Sequence, residues 1–254
     1  MTVTFKLAVT FLADPIMSQP FCDVFDLGLL AYQPAWELQD RLALEIAQGQ
    51  RPAALLLLEH PHTYTFGRRG QAQNLLWDEQ KLAESGAVVH WVDRGGDVTY
   101  HGPGQLVGYP LLRLDGLAPV DYVRQLEKVL ITALARLGLA SGQINGKTGV
   151  WVQAEVASRC PRCRPEDRQK PAKIAAIGVK VDAQNVTRHG FALNVNPQME
   201  FFEGILPCGL VDDPVIALAD IFPACPELAQ VKAEVARAFG EQFGFETRPK
   251  HLTI

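Results

Sequence analysis

Arg94-Gly95-Gly96-Asp97-Val98-Thr99-Tyr100-His101-Gly102-Pro103-Gly104-Gln105 sets four glycines and a proline among an arginine, an aspartate, a threonine, a tyrosine and a histidine. Apolar runs flank it at residues 87–92 and 106–112. Both are short and rich in aliphatic, β-branched or aromatic residues, as buried strands are. The stretch therefore reads as a loop or short strand held between two strands. Glycines there let the backbone approach a neighbour closely or take φ > 0. Paired glycines after an arginine can form a nest for a polar head group. A plain solvated turn would not concentrate so many polar and backbone-special residues.

The chain has 254 residues, 48% of them hydrophobic, enough for one sizeable domain. A net charge of −4 gives no footprint for nucleic acid. No apolar run approaches the roughly 20 residues of a membrane span. The apolar run at 5–13 is short, Asp14 interrupts it and no clean cleavage site follows, so residues 1–22 are expected to be an N-terminal extension. Five scattered cysteines do not make a disulfide framework, and a reducing cytoplasm is expected. No repeat or linker divides the chain. Residues 23–244 are expected to form a single domain and 245–254 a C-terminal tail.

Residues 34–48 align Leu38, Leu42 and Ile46, a helix with Pro34 near its first turn. The apolar run 53–58 predicts a strand covered on both faces. Residues 78–85 predict a short helix capped by Asp78. Residues 120–137 predict a core-facing helix that stops at Gly138, and 226–243 another that ends at Gly244. Residues 149–152 read as a strand. Residues 173–181 and 188–196 read as two strands of a hairpin turning near 182–185. Asp213-Pro214 is expected to cap a short helix to about residue 221.

Between these elements, residues 153–171 carry five basic side chains (Arg159, Arg162, Arg164, Arg168, Lys170) and a Cys160-Pro161-Arg162-Cys163 pair. One Cys-x-x-Cys is half of a zinc site and needs further ligands, which Cys22, Cys225 or a histidine could supply. An exposed loop with two reduced thiols is the expectation. Arg68 and Arg69, after residues 59–66, are expected to be solvated surface arginines.

Cys208, between Pro207 and Gly209, has the best setting for a nucleophile; its plainer reading is a small buried hydrophobe. An unperturbed thiol titrates near about 8.5 and needs a partner to react at neutral pH. Lys173, His101 and His189 are the candidates, and spacing does not choose among them. A lysine that opens a buried strand is a cation the fold must pair or use.

The stretch quoted first, through Arg94-Gly95-Gly96, Thr99, His101 and Pro103-Gly104-Gln105, resembles the signature of the octanoyltransferases of lipoate biosynthesis. Residues 23–39, 173–178, 189–196 and Pro207-Cys208-Gly209 match the same pattern in the same order, so the resemblance covers most of 23–244. It implies an α+β fold, a mixed β-sheet with flanking helices like the catalytic domains of biotin and lipoate protein ligases. It implies Cys208 as the nucleophile that carries the acyl thioester, and Lys173 as the partner that lowers the thiol pKa and acts as acid and base. By carry-over, Arg94, Gly95, Gly96, Asp97, Val98, Thr99, Tyr100 and His101 bind substrate. So do Ala176, Ile177 and Gly178, and Gly190, Phe191 and Ala192; His60 is a candidate pocket residue. Backbone amides in these segments would form the oxyanion hole.

The implied donor is octanoyl-acyl carrier protein. The implied acceptors are lipoyl domains of 2-oxoacid dehydrogenase E2 subunits and the glycine cleavage H protein. No cofactor, ATP or metal is implied, and no nucleic acid or membrane. Members of the family this chain resembles usually pass almost directly from the strand at 149–152 to the next, so residues 153–171 read as a basic insertion; its charge would steer acidic carrier proteins, or it would be only a solvated loop. An ATP-dependent lipoate or biotin ligase on the same fold is the nearest competing reading, since it needs an adenylate-binding lysine but no nucleophilic cysteine. A non-catalytic acyl-carrier binding module, with Cys208 structural, is another.

Overall fold

The computed structural model describes residues 20–206 and 213–252. In chain order the elements are β1 (Phe21–Leu29), α1 (Tyr32–Ala47), β2 (Ala53–Glu59), β3 (Thr63–Phe66), α2 (Glu79–Ser85), β4 (Val88–Trp91) and β5 (Val98–His101). These are followed by β6 (Gln105–Leu111), α3 (Pro119–Arg136), β7 (Val150–Val152), α4 (Ala154–Ala157), β8 (Ala172–Val181), β9 (Thr187–Asn194), α5 (Leu228–Phe243) and β10 (Glu246–Lys250). Among the described residues the strands form two sheets, ordered β10-β1-β2-β6-β9-β8-β7 and β4-β3-β5. The larger is mixed: β1 runs parallel to β10 and β2, and every pairing from β2 through β7 is antiparallel.

The alternation of β2 separates the layers. Leu55 and Leu57 face α3 and α5, whereas Ala54, Leu56 and Leu58 face α1. On the first side, Tyr122, Leu126, Val129, Leu130, Ala133 and Leu134 of α3 share a core with Val231, Val235, Ala238 and Phe239 of α5. The spacing of three and four is what one face of a helix requires. Each such leucine contributes about 1.5–3 kcal/mol by leaving water. Pro119 opens α3, and Gly138 just beyond its end takes φ +87°, the left-handed conformation that stops a helix. The small sheet builds its own aromatic core from Tyr64, Phe66, Tyr100 and Phe201.

Three expectations need correction. The supposed C-terminal tail contains β10, which pairs with β1 at the edge of the large sheet. Its burial is slight, so no apolar pattern announces it. Residues 213–217 are not helical: Val215 bridges Lys173 in parallel, and only Leu218–Asp220 make a 3-10 turn. The expected solvated insertion folds instead. Ala157 of α4 and Cys160 are buried in the main core, Cys160 and Cys163 form a disulfide, and Arg162 pairs with Asp220. The two thiols are therefore neither exposed nor reduced. Arg164 and Lys170 pair with Asp167, so much of the insertion's positive charge is met internally.

Candidate active site

The glycines of the central stretch allow backbone to lie against backbone. A Cβ on Gly67 would stand 2.5 Å from the Gly96 carbonyl oxygen, and one on Gly178 would stand 2.9 Å from that of Gly95. The Gly95 amide donates to the Val179 carbonyl at 2.9 Å, fastening this loop to β8. The Arg68 and Arg69 amides donate to the carbonyls of Arg94 and Gly96. Arg94 is buried, and its guanidinium donates to the Thr65 carbonyl at 2.6 Å, its hydroxyl at 2.9 Å, and the Gly95 carbonyl. The small sheet is thereby held against β8.

A cavity of about 780 Å³ lies along this junction. Arg94, Gly95, Gly96, Asp97, Val98, Thr99 and His101 line one side. Ala176, Ile177 and Gly178 of β8 and Gly190, Phe191 and Ala192 of β9 line another, with Lys173 also at the wall. The two strands are in register, Ala176 opposite Ala192 and Ile177 opposite Phe191. Phe191 has room because Gly108 lies opposite, where a Cβ would come within 2.0 Å of its ring.

Tyr100 and His60 depart from expectation. Tyr100 is fully buried and points into the aromatic core of the small sheet, its hydroxyl 2.8 Å from His62 Nδ1. His60 stands behind the cavity wall. Its Nδ1 donates to the Leu30 carbonyl at 2.6 Å, and its Nε2 accepts from the Tyr109 hydroxyl at 2.7 Å. Arg68 is exposed as expected, while Arg69, also exposed, reaches the cavity rim. Cys208 lies outside the described residues. Leu206, on one side of it, donates its amide to the Asn74 carbonyl at 2.8 Å, and Asn74 lines the cavity. On the other side Asp213 pairs with Lys147 Nζ at 2.5 Å, and Lys147 lines it too.

The imidazoles here are neutral at neutral pH. Burial pushes His60 down to about 4 and holds His101 well below its ordinary value. His101 Nδ1 donates to the Gln105 side-chain carbonyl at 2.9 Å, leaving Nε2 to accept from the Thr65 hydroxyl. Burial also lowers His189, against the pull of Asp93, whose carboxylate accepts from His189 Nε2 at 2.7 Å. Burial opposes the charge on Asp93, but hydrogen bonds from His189 and Lys180 outweigh it and hold the carboxyl down to about 2. Both histidines that competed with Lys173 as thiol partners thus have both ring nitrogens engaged.

Lys173 is placed differently. Its amide donates to the Pro214 carbonyl at 2.8 Å, and its carbonyl accepts from the Ile216 amide at 3.0 Å. The stem passes Gly149, where a Cβ would lie 3.5 Å from Lys173 Cε, and the ammonium sits 4.7 Å from the Trp151 ring centroid. Gly149 is held in turn by the fully buried carboxylate of Glu127, which accepts its amide at 2.9 Å. The register of residues 213–217 is fixed by a chain of side-chain amides: Gln105 Nε2 donates to Asn194 Oδ1 at 2.9 Å, and Asn194 Nδ2 donates to the Ile216 carbonyl at 3.1 Å.

Tyr32, Tyr109, Lys147, Asn194 and Val215 also line the cavity and were not singled out from the sequence. Tyr32 sits in the opening pattern and Lys147 between two glycines, weak signals that do not say what they face. No helix among the described residues is long and apolar enough to cross a membrane.

Residues 31–240 match the family described as the lipoyl protein ligase A/B catalytic domain. An octanoyltransferase of Chloroflexus aurantiacus is 43% identical over 90% of this chain and 96% of its own. One from Rubrobacter xylanophilus is 43% identical over 85% and 91%. Solved structures share the fold at low identity. The lipoate protein ligase of the Thermoplasma acidophilum lipoylation system has a TM-score of 0.67 at 15% identity, over 92% of this chain and 88% of that one. Lipoate-protein ligase A bound with ATP has 0.64 at 15%, over 92% and 90%. The chain belongs to the lipoyl protein ligase A/B catalytic domain family, and within it to the octanoyltransferases.

Proposed function

We propose that this octanoyltransferase works through a thioester on Cys208, taking octanoyl from octanoyl-acyl carrier protein and giving it to a lysine of a lipoyl carrier domain. Lys173 takes the thiol proton, and its ammonium stabilises the thiolate. The thiolate attacks the thioester carbonyl; a carbon–sulfur bond forms to Cys208, the one to the carrier breaks, and the leaving thiolate takes the proton from Lys173. Neutral Lys173 then accepts a proton from the attacking ε-amine. The carbon–nitrogen bond forms, the Cys208 thioester breaks, and the proton passes to the departing sulfur. One thioester replaces another at little net cost, and amide formation drives the second step without ATP.

The observation that carries this reading is the pairing of Lys173 with residues 214–216 at the cavity wall. That short run of chain begins six residues beyond Cys208. The chain on both sides of Cys208 reaches residues that line the same cavity as the glycine loop. Ala176, Ile177, Phe191 and Ala192 offer the acyl chain an apolar wall, and the Gly96 amide is a candidate oxyanion donor. The acceptors in this reading are E2 lipoyl domains and the glycine cleavage H protein, and the compartment is the cytoplasm.

The test is to mix the enzyme with octanoyl-carrier protein without nucleotide. The expected product is an enzyme heavier by one octanoyl group, labile to hydroxylamine and discharged by a lipoyl domain. Transfer that requires ATP and starts from free octanoate would make the chain a ligase instead. Unmodified mass with tight carrier binding would make it a binding module.

A further inference from the structure

Lys173 stands in a slot built largely by β7 and the turn before it. Gly149, at φ +117°, brings the chain so near β8 that a Cβ there would meet the Ala175 carbonyl oxygen at 2.5 Å. The absent side chain leaves the space along which the Lys173 stem runs, and Glu127 fixes Gly149 from below. Trp151, two residues on, is 1% exposed and its ring lies under the ammonium at 4.7 Å. A cation within about 6 Å of an indole centroid is attracted by the ring quadrupole, more so where water is excluded. Lys147 approaches the same ring, at 5.1 Å, but its charge is met by Asp213 at 2.5 Å.

We infer that Trp151 is a positioning residue of the transfer reaction: its buried ring holds the Lys173 ammonium in one orientation at the cavity wall. This rests on the reading that Lys173 activates Cys208. Trp151 acts through Lys173. A four-carbon stem with free rotors does not keep one orientation unaided, and the ring supplies the restraint that a carboxylate would supply only by neutralising the charge.

The experiment compares Trp151→Leu, Trp151→Phe and Lys173→Ala by the pH midpoint of Cys208 alkylation with iodoacetamide and by kcat and KM for octanoyl-pantetheine. Circular dichroism and thermal melts confirm that each variant is folded. Lys173→Ala should raise the midpoint. Trp151→Leu should raise it in the same direction by a smaller amount and lower kcat about tenfold, with KM little changed. Trp151→Phe, which keeps an aromatic face, should restore most of both.

An unmoved midpoint in folded Trp151→Leu, beside a moved one in Lys173→Ala, would overturn the inference. So would a shift in Trp151→Phe as large as that in Trp151→Leu, since an aromatic face would then count for nothing. A midpoint unmoved in Lys173→Ala itself would instead sink the underlying reading. If Trp151→Leu does not fold, Trp151→Phe and Trp151→Met, compared alone, still decide: equal midpoints would count against a role for the ring.

Discussion

On the α3 and α5 side of the large sheet, Leu55, Leu57, Leu106 and Leu193 meet Leu126, Leu130, Val231 and Val235, and the contacts are apolar throughout. At the junction of α1 with the two sheets, the neighbours are Tyr32, His60, His90, His101, Tyr109 and His189, ring against ring. The first region needs the right volume. The second needs every donor to find its acceptor, because an unmade buried hydrogen bond costs more than a made one gains. The second region backs the cavity, and the first supplies rigidity.

The largest effect should come from the apolar side. Leu130→Ala should cost about 2–5 kcal/mol of unfolding free energy through lost burial and a cavity. Turnover per folded molecule should stay unchanged. A comparable loss of kcat would mean that the two regions are not separable, and denaturant titration beside single-turnover kinetics decides it.

Acid should act on the other region. His60 is held at about 4 in the fold against 6.5 for an ordinary imidazole, so the unfolded chain takes the proton first. Its stabilisation is complete above pH 6.5 and falls as the pH drops toward 4, by about 3 kcal/mol for this group. His101 and His189 are lowered too and add to the same slope. Asp93, held at about 2, stays charged through this window, and its own contribution is lost only as the pH falls from about 4 toward 2. Unfolding free energy that is flat between pH 6.5 and 4 would refute the neutral cluster.

Tyr109→Phe sharpens the contrast, because it removes one oxygen and almost no volume. It should cost about 1–3 kcal/mol by leaving His60 Nε2 without its donor at 2.7 Å. Near-zero cost would mean that the junction packs like any other core. The smallest effect belongs to the insertion: Arg162→Gln removes a half-exposed guanidinium from the buried Asp220 carboxylate, which keeps its hydrogen bond from the Ala217 amide, and should cost about 1 kcal/mol by thermal melting.

The apolar side was the legible one. Periodicity marked α3 and α5, and continuous runs marked β2 and β6, because both record burial directly. Strand β10, Glu-Thr-Arg-Pro-Lys, is an exposed edge and carries no such record. Asp213-Pro214 imitated a helix cap, yet pairing with Lys173 keeps that chain extended. The glycine stretch announced a site by composition. Tyr32, Tyr109, Lys147 and Trp151 join it only through space, from α1, β6 and the chain leading through β7, and no local spacing expresses that meeting. The burial of Cys160 was unreadable for the same reason, whereas the Cys160-x-x-Cys163 spacing is open to a disulfide and to two free thiols alike.

The most direct test of the account is to locate the acyl group. The enzyme is charged with octanoyl-carrier protein, quenched in acid, digested and mapped across Cys22, Cys160, Cys163, Cys208 and Cys225. Octanoyl is expected on the peptide containing Cys208 and none in Cys208→Ser. Octanoyl on another cysteine, or an adduct that survives in Cys208→Ser, would contradict it.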